Sequence, residues 1–459
     1  MDYRKFFSDD VPSFMRSPVR EIFARVDLSA ICSFAGGYPA ASTFPTEAIK
    51  QLSARVLDKY GAKALQYGAT QGVPELRAAI AERYGVPVSR VQITTSSQQG
   101  IDVCSRIFLN PGDIVLAHNP VYLGALQSFA AYRATVVDLA ASSLRAEAIE
   151  CLDNKAPAGA RPGPGFCTSK IVEGEKAAGG SGESYSPVWN SACLSQASAT
   201  PASSSAPVIP STHPVIPSTH PVIPSEAKES IKFIYVIPDF NNPSGETMTL
   251  QEREELVAFA RERDLIIVED SPYRELRYSG ETLPTIYSLA PERTLHLGSF
   301  SKILAPGFRL GWIIGPEPLL EQIYVCKQAL DLCPPVFDQY IAAEYIASGE
   351  LDRNLVHTIA EYRERRDRML ALLEQYMPAG TSWTRPDGGL FLFLTLPEAI
   401  DTVALYDEAL DAGVAYVAGS FFYTDGSHRN TMRLNFSFIA QEKMEPGIRL
   451  LSKLIRKRL

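Results

Sequence analysis

The alternation of short apolar segments with amphipathic segments restricts the fold of this chain more than any other feature. Residues 232–237 (KFIYVI) and 265–270 (LIIVED) are apolar on both faces, as expected of buried strands. Residues 250–263, between them, have the charged, amphipathic pattern of a surface helix. Because strands that are apolar on both faces occur in parallel sheets covered by helices, the sequence predicts an α/β fold with a mostly parallel sheet.

The same patterns predict further elements on both sides of this unit. Strands are expected at 113–117, 134–138, 294–298 and 309–314, and helices at 74–84, 122–131 and 143–152. After Pro316 the pattern changes to helices at 317–346 and 351–377, then to short strands near 390–396 and 431–436. This change predicts a second, smaller α+β domain. The predicted division is 1–45 as an arm and part of the small domain, 46–319 as the large domain and 320–459 as the C-terminal small domain.

A stretch of different composition interrupts the predicted large domain. Of the 75 residues from 155 to 229, 31 are Ser, Pro or Gly, and the unit PVIPSTH occurs at 207–213 and again at 214–220. Proline at this density removes backbone donors and blocks both helix and sheet. We therefore interpret 155–229 as a disordered insertion, and the two histidines in its repeat as incidental rather than metal ligands.

Composition excludes several classes of protein. Lys plus Arg is 44 and Asp plus Glu is 52, a net charge of −8 that gives no bulk attraction for nucleic acid or anionic lipid. No apolar run approaches the roughly 18 residues of a membrane span, and the charged N-terminus does not have the pattern of a signal peptide. Seven scattered cysteines without a C-x-x-C pair favour reduced thiols over disulfides or zinc. We expect a cytoplasmic protein that binds neither membrane, nucleic acid nor metal.

The segment GSFSKILAPGFRLGW at 298–312 carries the strongest chemical signal. It places Ser299, Ser301, Lys302 and Arg309 in one short loop. Hydroxyls and an arginine suit a phosphate, and a desolvated lysine beside other cations becomes nucleophilic near neutral pH. Taken alone, Lys302 could also be a surface lysine in a turn.

This loop resembles the cofactor loop of class I/II aminotransferases of fold type I, closest to the 2-aminoadipate, kynurenine and aromatic aminotransferase subgroup. Similar stretches cover most of the chain outside the insertion. They are SPVREI (17–22), AGGYPAASTFP (35–45), LQYGATQGVPELR (65–77), ITTSSQQG (93–100), NPGD (110–113), NPVY (119–122), PDFNNPSG (238–245), VEDSPYRELRY (268–278) and RLNF (433–436). The resemblance implies a seven-stranded sheet, pyridoxal 5′-phosphate (PLP) as cofactor, and a homodimer with shared active sites.

The resemblance also implies a role for individual residues. Lys302 would carry the cofactor and move the substrate proton, and Asp270 would pair with the pyridine nitrogen. The other cofactor contacts would come from Tyr67 of a neighbouring subunit and from Ser97, Gln98, Tyr122, Asn242, Tyr273, Ser299, Ser301 and Arg309. Each has a simpler alternative: Asp270 could cap a helix, Asn242 could belong to a bare turn, Ser97 and Gln98 could start an ordinary helix, and each tyrosine could be a core residue.

Substrate-binding residues follow from the same resemblance. Arg433 would clamp the substrate α-carboxylate, with Asn242 and the backbone of Gly36 and Gly37 lining the pocket. Arg20 would lie near the substrate side chain and could bind a distal carboxylate. The alternatives are a structural ion pair for Arg433 and a helix-surface position for Arg20.

The reaction implied is transfer of an amino group from an acidic or aromatic L-amino acid, possibly 2-aminoadipate, to a 2-oxo acid such as 2-oxoglutarate. Two other functions use the same fold. One is another PLP enzyme, a C–S lyase or a decarboxylase, and the other is a non-catalytic effector-binding protein. Ala41-Ser42-Thr43 departs from the family pattern, which weakens any inference about the substrate side chain.

Overall fold

A computed structural model describes residues 3–17, 20, 30–139 and 230–459. The helix predicted at 143–152 and the insertion predicted at 155–229 lie outside the described residues. In chain order the described strands are β1 (Cys32–Ser33), β2 (Val91–Thr94), β3 (Ile114–Ala117), β4 (Thr135–Asp138), β5 (Ile231–Val236), β6 (Ile266–Asp270), β7 (Thr294–Ser299), β8 (Gly311–Ile314), β9 (Ser382–Trp383), β10 (Phe391–Thr395), β11 (Val414–Ala415), β12 (Val417–Ala418) and β13 (Thr431–Asn435).

Helices connect and cover these strands. The described α-helices are α1 (Thr46–Tyr60), α2 (Pro74–Tyr84), α3 (Ser96–Phe108), α4 (Leu123–Ala131), α5 (Leu250–Glu262), α6 (Ile286–Leu289), α7 (Glu317–Leu330), α8 (Val336–Ala347), α9 (Glu350–Tyr376), α10 (Tyr406–Asp411) and α11 (Gln441–Arg456). Local sequence explains several of the boundaries. Pro74 is the first residue of α2, and a capping box formed by Thr249 and Glu252 begins α5.

The central sheet has seven strands in the order β2-β8-β7-β6-β5-β3-β4. Strands β3 to β7 pair in parallel, whereas β8 runs antiparallel to both of its neighbours, β7 and β2. Residues from both faces of β5 and β6 are buried, which explains why their sequences are apolar without alternation. The predicted α/β fold with a mostly parallel seven-stranded sheet is confirmed.

Two smaller sheets lie in the C-terminal part of the chain. Strands β12, β13, β10 and β9 form an antiparallel sheet, and β1 pairs in parallel with β11. Through this pairing Cys32 and Ser33 join the chain's N-terminal region to Val414 and Ala415. The described residues cluster into one compact unit, and the predicted domain boundaries at 45 and 319 stay a prediction.

Two predicted elements differ from the structure. The helix expected at 317–346 is two helices, α7 and α8, because Pro334 and Pro335 interrupt the backbone hydrogen bonding between them. The strand expected at 309–314 begins only at Gly311, because Arg309 ends a 3₁₀ turn with a φ of +50°. That conformation is incompatible with a strand.

None of the described helices combines the length and the apolar character that crossing a bilayer requires.

Candidate active site

A cavity of about 420 Å³ lies where β5, β6 and β7 end, the edge at which open parallel sheets bind ligands. Asp270 is the last residue of β6, Ser299 is the last residue of β7, and Asn242 follows β5. Asp270 and twelve other predicted site residues line this cavity. The twelve are Arg20, Gly37, Ser97, Gln98, Tyr122, Asn242, Tyr273, Ser299, Ser301, Lys302, Arg309 and Arg433. The structure therefore brings together segments separated by more than 400 positions in the sequence.

Lys302 lies in the loop that follows β7, and its amine points into the cavity. Its Nζ donates a hydrogen bond to the Gly37 carbonyl oxygen at 2.9 Å. Burial, and then the positive charges of Arg309 and Arg433, lower the pKa of Lys302 to about 8. Both causes disfavour the ammonium form, so a useful fraction of this lysine is neutral and nucleophilic near neutral pH.

The lowered pKa predicts how the reactivity of Lys302 depends on pH. Since the neutral amine reacts with aldehydes, its rate of attachment to PLP should rise about tenfold from pH 6 to pH 7 and level off above about pH 8. Borohydride trapping followed by peptide mass mapping measures this rate. Exposed lysines, mapped in the same digests, serve as the control and should still gain reactivity above pH 9. A Lys302 rate that climbs in parallel with theirs would contradict the lowered pKa.

Asp270 is a buried carboxylate in the cavity lining, with one oxygen hydrogen bonded and the other without a hydrogen-bond partner among the described residues. Tyr235 on β5 donates its phenol hydrogen to Oδ2 at 2.9 Å. Oδ1 accepts no hydrogen bond of good geometry from the described residues, although the Ser97 hydroxyl lies near enough to lower the pKa of the carboxyl. Burial is the largest influence and raises the pKa of Asp270 to about 7, against the lowering effects of Tyr235, His296 and Ser97. A cationic partner at Oδ1 would complete this site.

Four polar side chains in the cavity lining, Gln98, Tyr122, Asn242 and Tyr273, interact in two pairs. The Tyr122 phenol donates to Gln98 Oε1 at 3.1 Å, and burial raises the pKa of Tyr122 to about 12. The Asn242 Nδ2 lies 3.5 Å from the Tyr273 hydroxyl. Burial also raises the pKa of Tyr273, so both phenols are neutral and able to donate hydrogen bonds.

The first turn of α3 supplies an anion-binding corner. Ser96, Ser97 and Gln98 lie at the helix N-terminus, where backbone N–H groups lack intrahelical acceptors. Arg309 donates to Ser96 Oγ at 2.7 Å, which fixes the guanidinium beside that turn. A Cβ at Gly311 would lie 2.8 Å from the Ser97 nitrogen, so β8 can approach this turn closely only because position 311 is glycine.

Arg433, on β13, is buried with neutral partners. Its Nη1 donates to Asn242 Oδ1 at 2.8 Å and its Nη2 to the Ala35 carbonyl at 2.6 Å. The guanidinium also lies 4.4 Å from the centre of the Phe391 ring. Burial lowers its pKa to about 10, and no carboxylate among the described residues forms an ion pair with it. The geometry therefore contradicts the structural ion pair and favours a site for an anionic ligand.

The remaining predicted residues lie at the edge of the cavity or outside it. Arg20 is exposed and lines the opening. Gly36 is buried beside Gly37 but does not line the cavity. Tyr67 is 78% exposed and away from the cavity of its own chain, so it is not a core residue, and a role at this site would require another subunit.

Sequence reasoning missed two residues of the site. Tyr235 was assigned only to a strand, and its contact with Asp270 depends on the pairing of β5 with β6, which places Tyr235 beside Val268. Ser96 precedes the two residues that were chosen, and its φ of +68° turns its hydroxyl toward Arg309. The repeated serine in TTSSQQG was the available signal for Ser96.

The residues present fit pyridoxal phosphate. The buried Oδ1 of Asp270 offers an anionic acceptor for a protonated ring nitrogen, and the α3 turn with Arg309 offers donors for a phosphate. Lys302 lines the same cavity and provides the amine. Each end of the cofactor thus has a complementary group in one cavity.

Comparisons with known proteins agree with this arrangement. The profile of the family described as aminotransferase class I and II matches residues 35–167 and 223–451. Aromatic-amino-acid aminotransferase 1 of Thermococcus litoralis is 38% identical over all of this chain and 96% of its own length. The 2-aminoadipate transaminase of Thermus thermophilus is 30% identical over 99% of this chain and 98% of its own length.

A solved structure gives the same result at the level of the fold. The crystal structure of Pyrococcus horikoshii kynurenine aminotransferase, in complex with PMP, matches all of this chain and 98% of its own with a TM-score of 0.80 and 34% identity. On the site geometry and these full-length matches together, the chain belongs to the aminotransferase class I and II family, and it is a pyridoxal-phosphate-dependent aminotransferase.

Proposed function

We propose that this aminotransferase moves the amino group of an acidic or aromatic L-amino acid to a 2-oxo acid such as 2-oxoglutarate. The observation that carries the proposal is that a buried Arg433, without an ion pair to any described residue, lines the same cavity as Lys302. An amino acid or a 2-oxo acid brings the carboxylate that such an arginine needs.

Different residues would hold the ring and the phosphate of the cofactor. Asp270 would pair with the ring nitrogen, Asn242 and Tyr273 would donate to the ring oxygen, and Tyr122 would pack against the ring. The phosphate would be held by Ser97, Gln98, Ser299, Ser301 and Arg309. The chemistry that pyridoxal phosphate supplies when bound is withdrawal of electrons from the substrate Cα.

Lys302 and Arg433 would handle the substrate itself. Arg433 would orient the α-carboxylate through its two terminal nitrogens, which now hydrogen bond to Asn242 and Ala35. Lys302 Nζ, with its lowered pKa, would take the proton from the substrate Cα as general base and would then, as general acid, deliver it to the cofactor's C4′. A pKa near 8 allows the same nitrogen to act both as a general base and as a general acid near neutral pH.

The choice of substrate would be made at the opening of the cavity. Arg20 lines the opening and offers a cation to a distal carboxylate. Tyr38 lines it as well, with its ring 5.4 Å from that of Phe438 in an edge-to-face contact, and offers an apolar surface to an aromatic side chain. Both classes of side chain thus have a complementary group at one opening.

A panel of amino acids tests the proposal. With 2-oxoglutarate as the acceptor, 2-aminoadipate, kynurenine, phenylalanine and alanine should be compared by kcat/KM. Arg20→Gln should lower kcat/KM for 2-aminoadipate about tenfold, because it removes one charge-assisted contact, and should change the value for phenylalanine less than about twofold. Arg433→Gln is the matched variant and should lower kcat/KM for every donor.

Two outcomes would contradict the proposal. Release of carbon dioxide or of a sulfur leaving group, without formation of a 2-oxo acid, would indicate a decarboxylase or a C–S lyase. Equal losses for acidic and aromatic donors in Arg20→Gln would mean that Arg20 does not select the side chain.

We also propose that the enzyme is a cytoplasmic homodimer with shared sites. Support comes from Tyr67, which is exposed on its own chain although the family resemblance gives it a cofactor contact. Leu65 nearby is 71% exposed, which gives this loop an apolar surface for a second subunit. The division into a large domain at 46–319 and a small domain at 320–459, completed by residues 1–45, belongs to the same proposal.

A further inference from the structure

A buried ammonium lies behind the phosphate corner rather than in the cavity. Lys327, in the last turn of α7, has a fully buried side chain. Its Nζ donates to Gln99 Oε1 at 2.7 Å and to Asp331 Oδ1 at 2.9 Å. A buried lysine is costly unless all of its donors have partners, so this position is highly constrained.

The network continues from Lys327 to the start of α3. The Thr95 backbone N–H donates to Gln99 Oε1 at 2.8 Å, so this single oxygen accepts both from the Thr95 backbone and from Lys327. Asp331 Oδ2 accepts from Thr95 Oγ1 at 2.9 Å and from Gln99 Nε2 at 2.6 Å. Lys327 and Asp331 therefore hold both ends of the first turn of α3.

The first turn of α3 contains a strained backbone conformation that neighbouring residues must stabilise. Ser96, between Thr95 and Ser97, has a φ of +68°, which costs free energy in a residue other than glycine and persists only when its neighbours fix it. Its hydroxyl accepts from Arg309, and the next two residues, Ser97 and Gln98, line the cavity. Loosening Thr95 or Gln99 would therefore move the donors that face the ligand.

We propose that Lys327, Asp331 and Gln99 act as positioning residues for the phosphate group of the cofactor. They do not contact the cavity; they fix the N-terminal turn of α3, so that its donors are directed at the phosphate before it arrives. The inference rests on the proposed assignment of Ser97, Gln98 and Arg309 to the phosphate.

The test compares two ligands that differ only in the phosphate. Apoprotein is titrated with pyridoxal phosphate and with pyridoxal. The dissociation constant of pyridoxal divided by that of pyridoxal phosphate measures the contribution of the phosphate site. Lys327→Met should reduce this ratio about tenfold, because the phosphate-bearing ligand alone is weakened. Lys327→Arg keeps the charge and should retain the ratio within about threefold.

The control is Lys457→Met, which removes an exposed lysine paired with Glu408 at 2.8 Å and should leave the ratio unchanged. A purely structural network would weaken both ligands by the same factor in Lys327→Met and leave the ratio intact, and that result would overturn the inference. If Lys327→Met does not fold, Asp331→Asn replaces it. This variant keeps the side chain's size, removes the counter-ion of Lys327 and weakens the hydrogen bonds that Asp331 accepts from Thr95 and Gln99, so it should also reduce the ratio. An unchanged ratio in folded Asp331→Asn would equally overturn the inference.

A separate measurement distinguishes this inference from the proposed function. Inorganic phosphate should raise the melting temperature of the wild-type apoprotein more than that of Lys327→Met. If wild-type protein binds phosphate in this way but fails to attach pyridoxal phosphate at Lys302, the proposed function fails and the phosphate-positioning network stands. If both proteins respond equally to phosphate, the network does not position the phosphate site.

Discussion

Lys302→Ala is expected to lose amino transfer by at least about 10³-fold, the largest effect of any single substitution in this enzyme. The variant loses the nitrogen that would move the substrate proton, and no other lysine lines the cavity within the described residues. The rate of 2-oxo acid formation, measured with the best donor in the panel, checks this expectation. Residual turnover within about tenfold of wild type would contradict the assignment of Lys302.

A rescue experiment separates lost chemistry from lost folding. The space left by the lysine side chain can admit a small primary amine from solution, so added methylamine should restore part of the rate in Lys302→Ala. The bound cofactor should remain detectable, because Asp270 and the phosphate corner are untouched. A variant that neither binds cofactor nor responds to methylamine would indicate that position 302 is structural.

Asp270→Asn should lower kcat by about 10² to 10³-fold while the protein still binds cofactor. The amide has the shape of the carboxylate but cannot stabilise a proton on the ring nitrogen, so the electron-withdrawing power of the ring falls. The carboxylate's pKa of about 7 reflects burial in the absence of a cationic partner. Single-turnover rates with a saturating amino acid would measure the loss.

Tyr235→Phe perturbs the Asp270 carboxylate less than Asp270→Asn does. Removal of the 2.9 Å hydrogen bond to Oδ2 takes away the interaction that most lowers the pKa of Asp270, so that pKa should rise. Because a protonated ring nitrogen would keep the carboxylate ionised in the cofactor-loaded enzyme, we expect a rate loss of only about tenfold, smaller than that of Asp270→Asn. Equal losses in both variants would contradict this account.

The parts of the fold that the sequence predicted best were those with strong local signals. Pro74 and the helical spacing after it define α2, and the doubly apolar run ending in Asp270 defines β6. The helix expected at 317–346 is divided because the Pro334-Pro335 pair interrupts backbone hydrogen bonding, although apolar residues continue on both sides of it.

The predicted site residues were identified from motifs, and most of them line one cavity. The missed contacts depend on distances between remote segments. Tyr235 reaches Asp270 because β5 and β6 are neighbours in a sheet, and Lys327 reaches Gln99 across 228 positions because α7 packs on α3. A single sequence contains neither the strand order nor the packing of helices, so these contacts could not be predicted from it.

The neutral surroundings of Arg433 have a consequence for which molecules can enter. Its hydrogen bonds go to a backbone carbonyl and an amide oxygen. An incoming carboxylate therefore displaces no counter-ion among the described residues, and only a ligand with its own negative group neutralises the charge of the guanidinium. Simple amines lack that group and gain nothing from the guanidinium, so we expect them to bind more weakly than amino acids.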